Sequence, residues 1–270
     1  MCFGTKSYFS KLMAQNPTSG IIDAYSDFYE NHDEAWRMLG AKYKAQNIAD
    51  VCRRKQFAKV LEVGAGDGSI LYYLDQQHFA TELYAIEISE SGVDHIKSRN
   101  LKSVKEVQIF DGYHIPYADQ EFDLVILAHV LEHVEYERML LRELKRVSKF
   151  QVIEVPRDYR FGVDQRINHF LAYGHLNVYT PSSLRYLLRS EGFKILADKT
   201  SMITPEVTRF NTFINQKKQK SLLKNLKITA EYQLKTILNR LLGKKFQEKL
   251  ASAYTVLCSS SEEKTQIFTR

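Results

Sequence analysis

The sequence predicts an α/β protein with a mostly parallel sheet of seven strands and helices on both faces of that sheet. Short apolar runs alternate with segments of helical periodicity between residues 58 and 156, a pattern typical of parallel strands joined by crossover helices. Three glycines, Gly64, Gly66 and Gly68, also stand at alternate positions between the first apolar run and the next helical segment. They predict a tight turn that something approaches closely.

Five strands are predicted before residue 157. We expect residues 1–20 to be flexible and residues 21–54 to be largely helical, since apolar residues recur there at helical spacing. The strands are AKVLEVG (58–64), ELYAIEIS (82–89), VKEVQIFD (104–111), FDLVILAHVL (122–131) and FQVIEVP (150–156). Helices are predicted between them, the longest over about residues 136–149.

Two features interrupt the alternation after Pro156. Residues 157–180 read as a polar lid, and residues 206–250 form a basic helical insertion with leucines every three or four positions. Between them, TPSSLRYLLRSEG has a Thr N-cap, a Pro at the first helical position and a Gly stop, and a sixth strand follows it. A seventh strand is predicted at SAYTVLCSSS, so residues 21–270 are expected to form a single domain.

Composition excludes several classes of protein. The chain has 270 residues, 44% hydrophobic and 26% charged, and no apolar run approaches the length of a bilayer span. The N-terminus lacks a signal-peptide pattern and the three cysteines match no metal or redox spacing, so a cytoplasmic protein is expected. Residues 217–249 carry ten Lys/Arg and two Glu, which leaves the rest of the chain, at a total of +6, with a net −2. The basicity is therefore local, and no nucleic-acid partner is expected.

The glycine turn differs from the dinucleotide fingerprint. In G-x-G-x-x-G the third glycine comes one residue later than here, and Asp67 would face a pyrophosphate unfavourably. A helix N-terminus offers amides and partial positive charge to a carboxylate, and Glu62 at the end of the first strand could meet an ammonium group. The pattern favours a ligand with an amino-acid end.

Two more acids end the second and third strands. Glu87 follows Glu62 by 25 residues and Asp111 follows Glu87 by 24, one strand–helix unit each. A carboxylate at the second position can accept hydrogen bonds from a ribose diol, and one at the third can accept from an adenine amino group beside Gly112. Since parallel strands end at one edge of a sheet, these acids are expected to converge there.

Together these motifs resemble the class I, Rossmann-like S-adenosyl-L-methionine-dependent methyltransferases. LEVGAGDGS is similar to their first motif, and IPYADQEFDLVILAHVLEHV and GHLNVYTPSSLRYLLRSEGFKIL are similar to later blocks. The resemblance implies a seven-stranded sheet with an antiparallel last strand and S-adenosyl-L-methionine as cofactor. It implies cofactor contacts at Glu62, Gly64, Ala65, Gly66, Gly68, Glu87, Ile88, Asp111, Gly112, Ala128 and His129, with Tyr25 and Arg37 as candidates upstream.

Candidate catalytic bases are histidines. His129 leaves the fourth strand, and His169 and His175 lie in the predicted lid; any of them could take a proton from an acceptor, and His129 could instead orient the cofactor. His133, four residues after His129, would share a helical face with it. The spacing of that pair is compatible with zinc ligands, but no third ligand is apparent in the sequence. No metal site is therefore predicted, and a structural role is favoured for His133.

The sequence predicts the chemical class of the acceptor but not its identity. The polar lid, and the absence of an Asn/Asp-Pro-Pro-Tyr-like run after strand four, favour oxygen of a small molecule or glycan. The leucine seam of the basic insertion is expected to pack on the sheet or on a second subunit, with docking to an anionic membrane as the alternative. A nicotinamide-dependent Rossmann oxidoreductase and a non-catalytic S-adenosylmethionine-binding protein are the alternative functions.

Overall fold

A computed structural model describes residues 34–158, 163 and 167–260. The order of its helices and strands follows the predicted alternation up to β5. The elements are α1 (Glu34–Cys52), β1 (Phe57–Val63), α2 (Ser69–Gln76), β2 (Ala80–Glu87), α3 (Glu90–Ser98), β3 (Val104–Ile109), β4 (Phe122–Ala128), a 3₁₀ turn (Leu131–His133), α4 (Glu137–Val147), β5 (Ser148–Pro156), α5 (Ile167–Tyr173), α6 (Pro181–Ser190), β6 (Phe193–Ser201), α7 (Pro205–Phe210), a π turn (Asn211–Asn215), α8 (Leu222–Leu242), α9 (Lys244–Leu250) and β7 (Ala253–Ser260).

The seven strands form one sheet in the order β3-β2-β1-β4-β5-β7-β6. The first five strands run parallel, and β7 lies antiparallel to both β5 and β6. The predicted fold is confirmed, including the antiparallel last strand. Because β1 and β4 are neighbours although β2 and β3 lie between them in sequence, the carboxyl end of β1 sits where the strand order reverses. Open α/β sheets bind ligands at this point.

Side chains of alternate strand residues enter two cores, one on each face of the sheet. Along β4, Leu124 and Ile126 pack against α1, α2 and α3, whereas Val125 and Leu127 pack against α4 and α6. This alternation explains why the central strands read as continuous apolar runs: both of their faces are buried.

The basic helix α8 does not bury its leucine seam. Leu223, Leu226, Leu234, Ile237 and Leu241 are between 54% and 79% exposed, and α8 has no buried residue. The expectation that this seam packs on the sheet is therefore wrong for the described chain. The half-buried residues of α8 lie on its other face, where Arg209 of α7 donates a hydrogen bond to Thr229 (2.6 Å).

None of the helices in the described ranges is long and apolar enough to cross a membrane.

Candidate active site

Glu62 is a buried carboxylate at the carboxyl end of β1. It is 1% exposed, and its Oε2 has no hydrogen-bond partner within the described residues. Burial raises the pKa of Glu62 well above its ordinary value; the positive charge of Lys44 opposes the rise, and the charges of Asp67 and Glu87 add to it. An unpartnered buried carboxylate oxygen is costly, so a cationic group beside it would be stabilised.

The glycine turn follows directly and is fastened to β2. The amides of Gly64 and Ala65 donate to the carbonyl of Ile86 (2.9 and 3.2 Å). Gly64 has a φ of +68°, and a Cβ added to it would lie 2.6 Å from Cγ2 of Val130, which follows β4. Glycine is required here because a side chain would be strained and would collide with Val130. The turn ends at Gly68, the N-cap of α2.

Glu87 reaches the glycine turn from the end of β2. Its carboxylate is 3% exposed; Oε2 accepts a hydrogen bond from the Gly66 amide (2.9 Å), and Oε1 accepts from the amide and hydroxyl of Ser89 (3.3 Å each). Burial raises the pKa of Glu87, although these hydrogen bonds favour its charged form. The structure therefore brings Glu62, Gly66 and Glu87 to one place.

The end of β3 continues the same edge. The Phe110 amide donates to the carbonyl of Glu87 (3.1 Å), which holds the two strand ends together. Asp111 is exposed, and its Oδ1 accepts from the amides of Tyr113 (2.8 Å) and His114 (2.6 Å). A Cβ at Gly112 would touch Ile88 at 3.8 Å.

An apolar side chain, Ile88, thus lies beside Gly112, and the exposed acid Asp111 directly precedes that glycine. This arrangement suits a flat, amino-bearing ring.

The charge of Asp67 is paired with two arginines, which the sequence did not predict. It is 5% exposed and binds Arg37 Nε (2.8 Å) and Arg99 Nη2 (3.2 Å). Burial by itself would raise the pKa of Asp67, but hydrogen bonds from Ser69 and Arg37 and the charge of Arg99 hold it below its ordinary value. Arg37, predicted to contact the cofactor, here fixes the acid beside the turn. Tyr25 lies outside the described residues.

His129 leaves β4 with a left-handed backbone (φ +58°) immediately after Ala128. Its Nε2 lies 3.2 Å from Oε1 of Glu154 on β5, and its Nδ1 lies 3.4 Å from Oε1 of Glu132. Burial by itself would raise the pKa of Glu154, but the hydrogen bonds from His129 and Thr255 lower it. An ionised, buried Glu154 therefore orients the imidazole of His129.

The expected shared helical face of His129 and His133 is wrong. His129 precedes the 3₁₀ turn, whereas His133 ends it. Both imidazoles face Oε1 of Glu132, at 3.4 and 3.8 Å, but their second nitrogens meet different partners. Nδ1 of His133 lies 3.0 Å from the Gly174 carbonyl, and burial lowers the pKa of His133.

His175 pairs through Nδ1 with Oδ2 of the buried Asp158 (2.6 Å). For His169 only the helical backbone within α5 is described.

Comparison with known proteins identifies the class. The model of a methyltransferase domain matches residues 36–198, more than half of the chain, and the chain belongs to this family. A solved S-adenosylmethionine-dependent methyltransferase of Archaeoglobus fulgidus shares the fold, with a TM-score of 0.55, 19% identity, and coverage of 86% of this chain and 99% of that one. The cofactor is therefore S-adenosyl-L-methionine, and the alternative of a nicotinamide-dependent oxidoreductase is wrong.

Curated relatives match only part of their own length. Norajmaline N-methyltransferase of Rauvolfia serpentina is 27% identical over 42% of this chain and 40% of that protein. Tocopherol O-methyltransferase of Arabidopsis thaliana is 29% identical over 43% of this chain and 35% of that protein. The chain thus spans well under half the length of these two relatives, and their names differ in the acceptor atom.

The residues at this edge fit the cofactor. Oε2 of Glu62 has no hydrogen-bond partner in the described part of the chain and could accept from an ammonium group, and Glu87 presents carboxylate oxygens beside the glycine turn. Ile88 and Asp111 would then flank the adenine.

Proposed function

We propose that this chain transfers the methyl group of S-adenosyl-L-methionine to an oxygen atom of a small-molecule or glycan acceptor. The observation that carries the proposal is the buried Glu62 carboxylate, whose Oε2 has no partner in the described structure, beside a glycine turn at the switch point of the sheet. It supports cofactor binding. The polar groups after β4 support oxygen as the acceptor atom.

The roles of the binding residues follow from their chemistry. Glu62 would accept from the ammonium group, the amides at the start of α2 would face the carboxylate, and Glu87 would accept from the ribose hydroxyls. Each charge-assisted hydrogen bond contributes about 1.5–3 kcal/mol. The bound cofactor supplies an activated methyl group on a sulfonium, so the chain mainly has to align the acceptor with it.

A hydroxyl acceptor must lose a proton, and the groups after β4 suit that task. The imidazole of His129 lies between the carboxylates of Glu154 and Glu132, at 3.2 and 3.4 Å. Because Glu154 accepts a hydrogen bond from Nε2, the lone pair of His129 lies on Nδ1, which can take the proton of an acceptor hydroxyl. An amine or a nucleophilic carbon would not require this arrangement to the same extent.

The test is an acceptor screen that reads released S-adenosylhomocysteine, followed by mass spectrometry of the product. We expect hydroxyl-bearing acceptors to be methylated on oxygen. In His129→Asn, we expect kcat to fall by about 100-fold or more while the affinity for S-adenosylhomocysteine changes little, since general bases contribute about 10²–10⁴-fold. Products methylated only on nitrogen or carbon would overturn the oxygen assignment, and binding without turnover on any acceptor would favour a non-catalytic protein.

We further propose that α8 docks on an anionic membrane that carries the acceptor. Its exposed leucine seam lies within residues 217–249, a segment with a net charge of +8. Two such segments would repel each other across a dimer interface, whereas an anionic membrane would attract one. One relative acts, by its name, on tocopherol, a lipid.

Co-sedimentation with vesicles tests the docking. We expect binding to vesicles containing phosphatidylserine at low salt, little binding to phosphatidylcholine alone, and loss of binding in Leu226→Ser/Leu234→Ser. Thr229→Ser, on the covered face of α8, is the matched control, because it keeps the hydroxyl that accepts from Arg209 and leaves the leucine seam unchanged. A concentration-dependent dimer that binds no vesicle would establish the second-subunit alternative instead.

A further inference from the structure

Three potential metal ligands meet beside the described site. Glu132 and His133 belong to the 3₁₀ turn after β4, and His175 follows α5 in the predicted lid. One ligand atom from each lies within 4.8 Å of the other two. The glycine turn uses none of these three groups in the described structure, and Glu132 also faces Nδ1 of His129 at 3.4 Å.

Glu132 is a buried carboxylate that lacks compensating hydrogen bonds. It is 1% exposed, and both carboxylate oxygens are without a hydrogen-bond partner in the described part of the chain. The groups that face Oε1 are imidazole nitrogens, Nδ1 of His129 at 3.4 Å and Nε2 of His133 at 3.8 Å. A desolvated carboxylate of this kind is costly unless a cation compensates it.

The second imidazole nitrogens are anchored so that the ligand nitrogens face the cluster. A carbonyl oxygen can only accept, so Nδ1 of His133, 3.0 Å from the Gly174 carbonyl, carries the hydrogen and the lone pair lies on Nε2. Nδ1 of His175 likewise donates to Oδ2 of Asp158. Metal-binding histidines characteristically donate their other ring nitrogen to a carbonyl or a carboxylate in this way.

The backbone holds the two contributing segments together. The amides of Leu176 and Asn177 donate to the Glu132 carbonyl (2.8 and 2.9 Å), and Nδ2 of Asn177 donates to the Val134 carbonyl (2.7 Å). His175 is thereby fixed next to the 3₁₀ turn by contacts that do not require an ion. The three side chains are preorganised for a common partner.

We propose that Glu132, His133 and His175 bind a divalent transition-metal ion whose open coordination position takes an oxygen of the acceptor. Two imidazoles and one carboxylate suit Zn²⁺, Co²⁺ or Mn²⁺, whereas Ca²⁺ requires six to eight oxygens. The binding of the ion does not depend on the proposed function, but its contact with the acceptor oxygen rests on the proposed methyl transfer to oxygen. The turn begins next to Val130, whose side chain adjoins Gly64, so the ion would lie near the cofactor.

Metal binding is tested on the full chain without cofactor or acceptor. The chelator-treated protein is titrated with Co²⁺, read by visible absorption, and with Zn²⁺, read by calorimetry. We expect one ion per chain. His175→Asn keeps an N–H for Asp158 but removes the ligand nitrogen, and should weaken binding by about 100-fold or more; Asp158→Asn should weaken it by about 10–100-fold. His114→Ala, an exposed histidine away from the cluster, is the control.

The outcomes separate this proposal from the proposed function. Acetohydroxamate, an oxygen donor, should alter the Co²⁺ spectrum of the wild type, which would show the open position. Failure of the wild type to bind Co²⁺ or Zn²⁺ stoichiometrically would overturn the site, as would variants that fold by circular dichroism and bind like the wild type. Methyl transfer that persists after chelation would overturn the metal's role while leaving the methyltransferase assignment intact. Binding of S-adenosylhomocysteine to the metal-free protein is measured separately.

Discussion

Replacing Glu62 with glutamine should stabilise the ligand-free protein and weaken its binding of the cofactor. The substitution keeps the shape of the side chain and removes the charge that burial disfavours. Glutamine also leaves a polar atom without a partner in the described residues, but it cannot ionise, and removing an unpaired buried charge should gain about 1–3 kcal/mol. We therefore expect Glu62→Gln to raise the free energy of unfolding at pH 7 by about 1–3 kcal/mol.

The stability gained by Glu62→Gln should increase as the pH rises. The folded-state pKa of Glu62 is raised, so the wild type retains its full stability below the unfolded pKa, about 4.3, and loses stability as pH rises through the folded value. Glutamine does not titrate. The advantage of the variant should thus be small near pH 4 and largest at neutral pH.

The same substitution should weaken the binding of the cofactor. Loss of one charge-assisted hydrogen bond to the ammonium, about 1.5–3 kcal/mol, corresponds to about a 10- to 100-fold higher Kd for S-adenosylhomocysteine. Urea unfolding between pH 4 and 8 and isothermal titration calorimetry measure the two effects. Glu231→Gln, at an exposed glutamate on α8, is the control and should change neither. A less stable Glu62→Gln protein, or one that binds the ligand like the wild type, would refute the reasoning.

Three further predictions concern the same edge of the sheet. Glu87→Gln should raise the Kd for S-adenosylhomocysteine about tenfold in calorimetry, because a neutral amide accepts the ribose hydroxyls less strongly; an unchanged Kd would count against the ribose role. Gly64→Ala should destabilise the fold by more than about 1 kcal/mol in urea, since its Cβ would lie 2.6 Å from Val130; full stability would show that the turn can relax. Glu154→Gln should lose about 1–3 kcal/mol at pH 7, a deficit that shrinks as pH falls through the lowered pKa of the wild-type carboxyl, and a pH-independent deficit would contradict this sign.

The sequence predicted the sheet and its glycine turn because both depend on local patterns. Doubly buried strands give apolar runs, and the left-handed conformations at Gly64, Gly66 and Gly68 require glycine, so each signal is visible without knowledge of distant contacts. The convergence of Glu62 and Glu87 followed from the geometry of parallel strands. Their roles toward the cofactor stay predictions.

The other contacts of the site could not be predicted, because they join residues that are far apart in the sequence. Arg37, one partner of Asp67, lies 30 residues away from it, and Asp158, the partner of His175, lies 17 residues before it at the start of the predicted lid. Glu154 lies two residues before the end of β5, and Glu87 ends β2, so similar reasoning about strand ends could have identified it. Glu132 could not be recognised as buried and unpartnered, because its neighbours His133 and His175 are brought together only by the backbone contacts of residues 174–177.

The orientation of the leucine seam was also beyond the sequence. Periodicity shows that the leucines of α8 share one face, but it does not show which face meets the protein. In the structure Asn225, Thr229 and Tyr232 face inward and the seam faces out.

A crystal structure of the protein with S-adenosylhomocysteine tests the central claim most directly. We predict that the ligand's amino group contacts the buried acid at the end of β1, that its ribose hydroxyls contact Glu87, and that its adenine lies between Ile88 and Asp111. A ligand bound away from the glycine turn, or with its ribose and amino group exchanged between the two acids, would contradict the account.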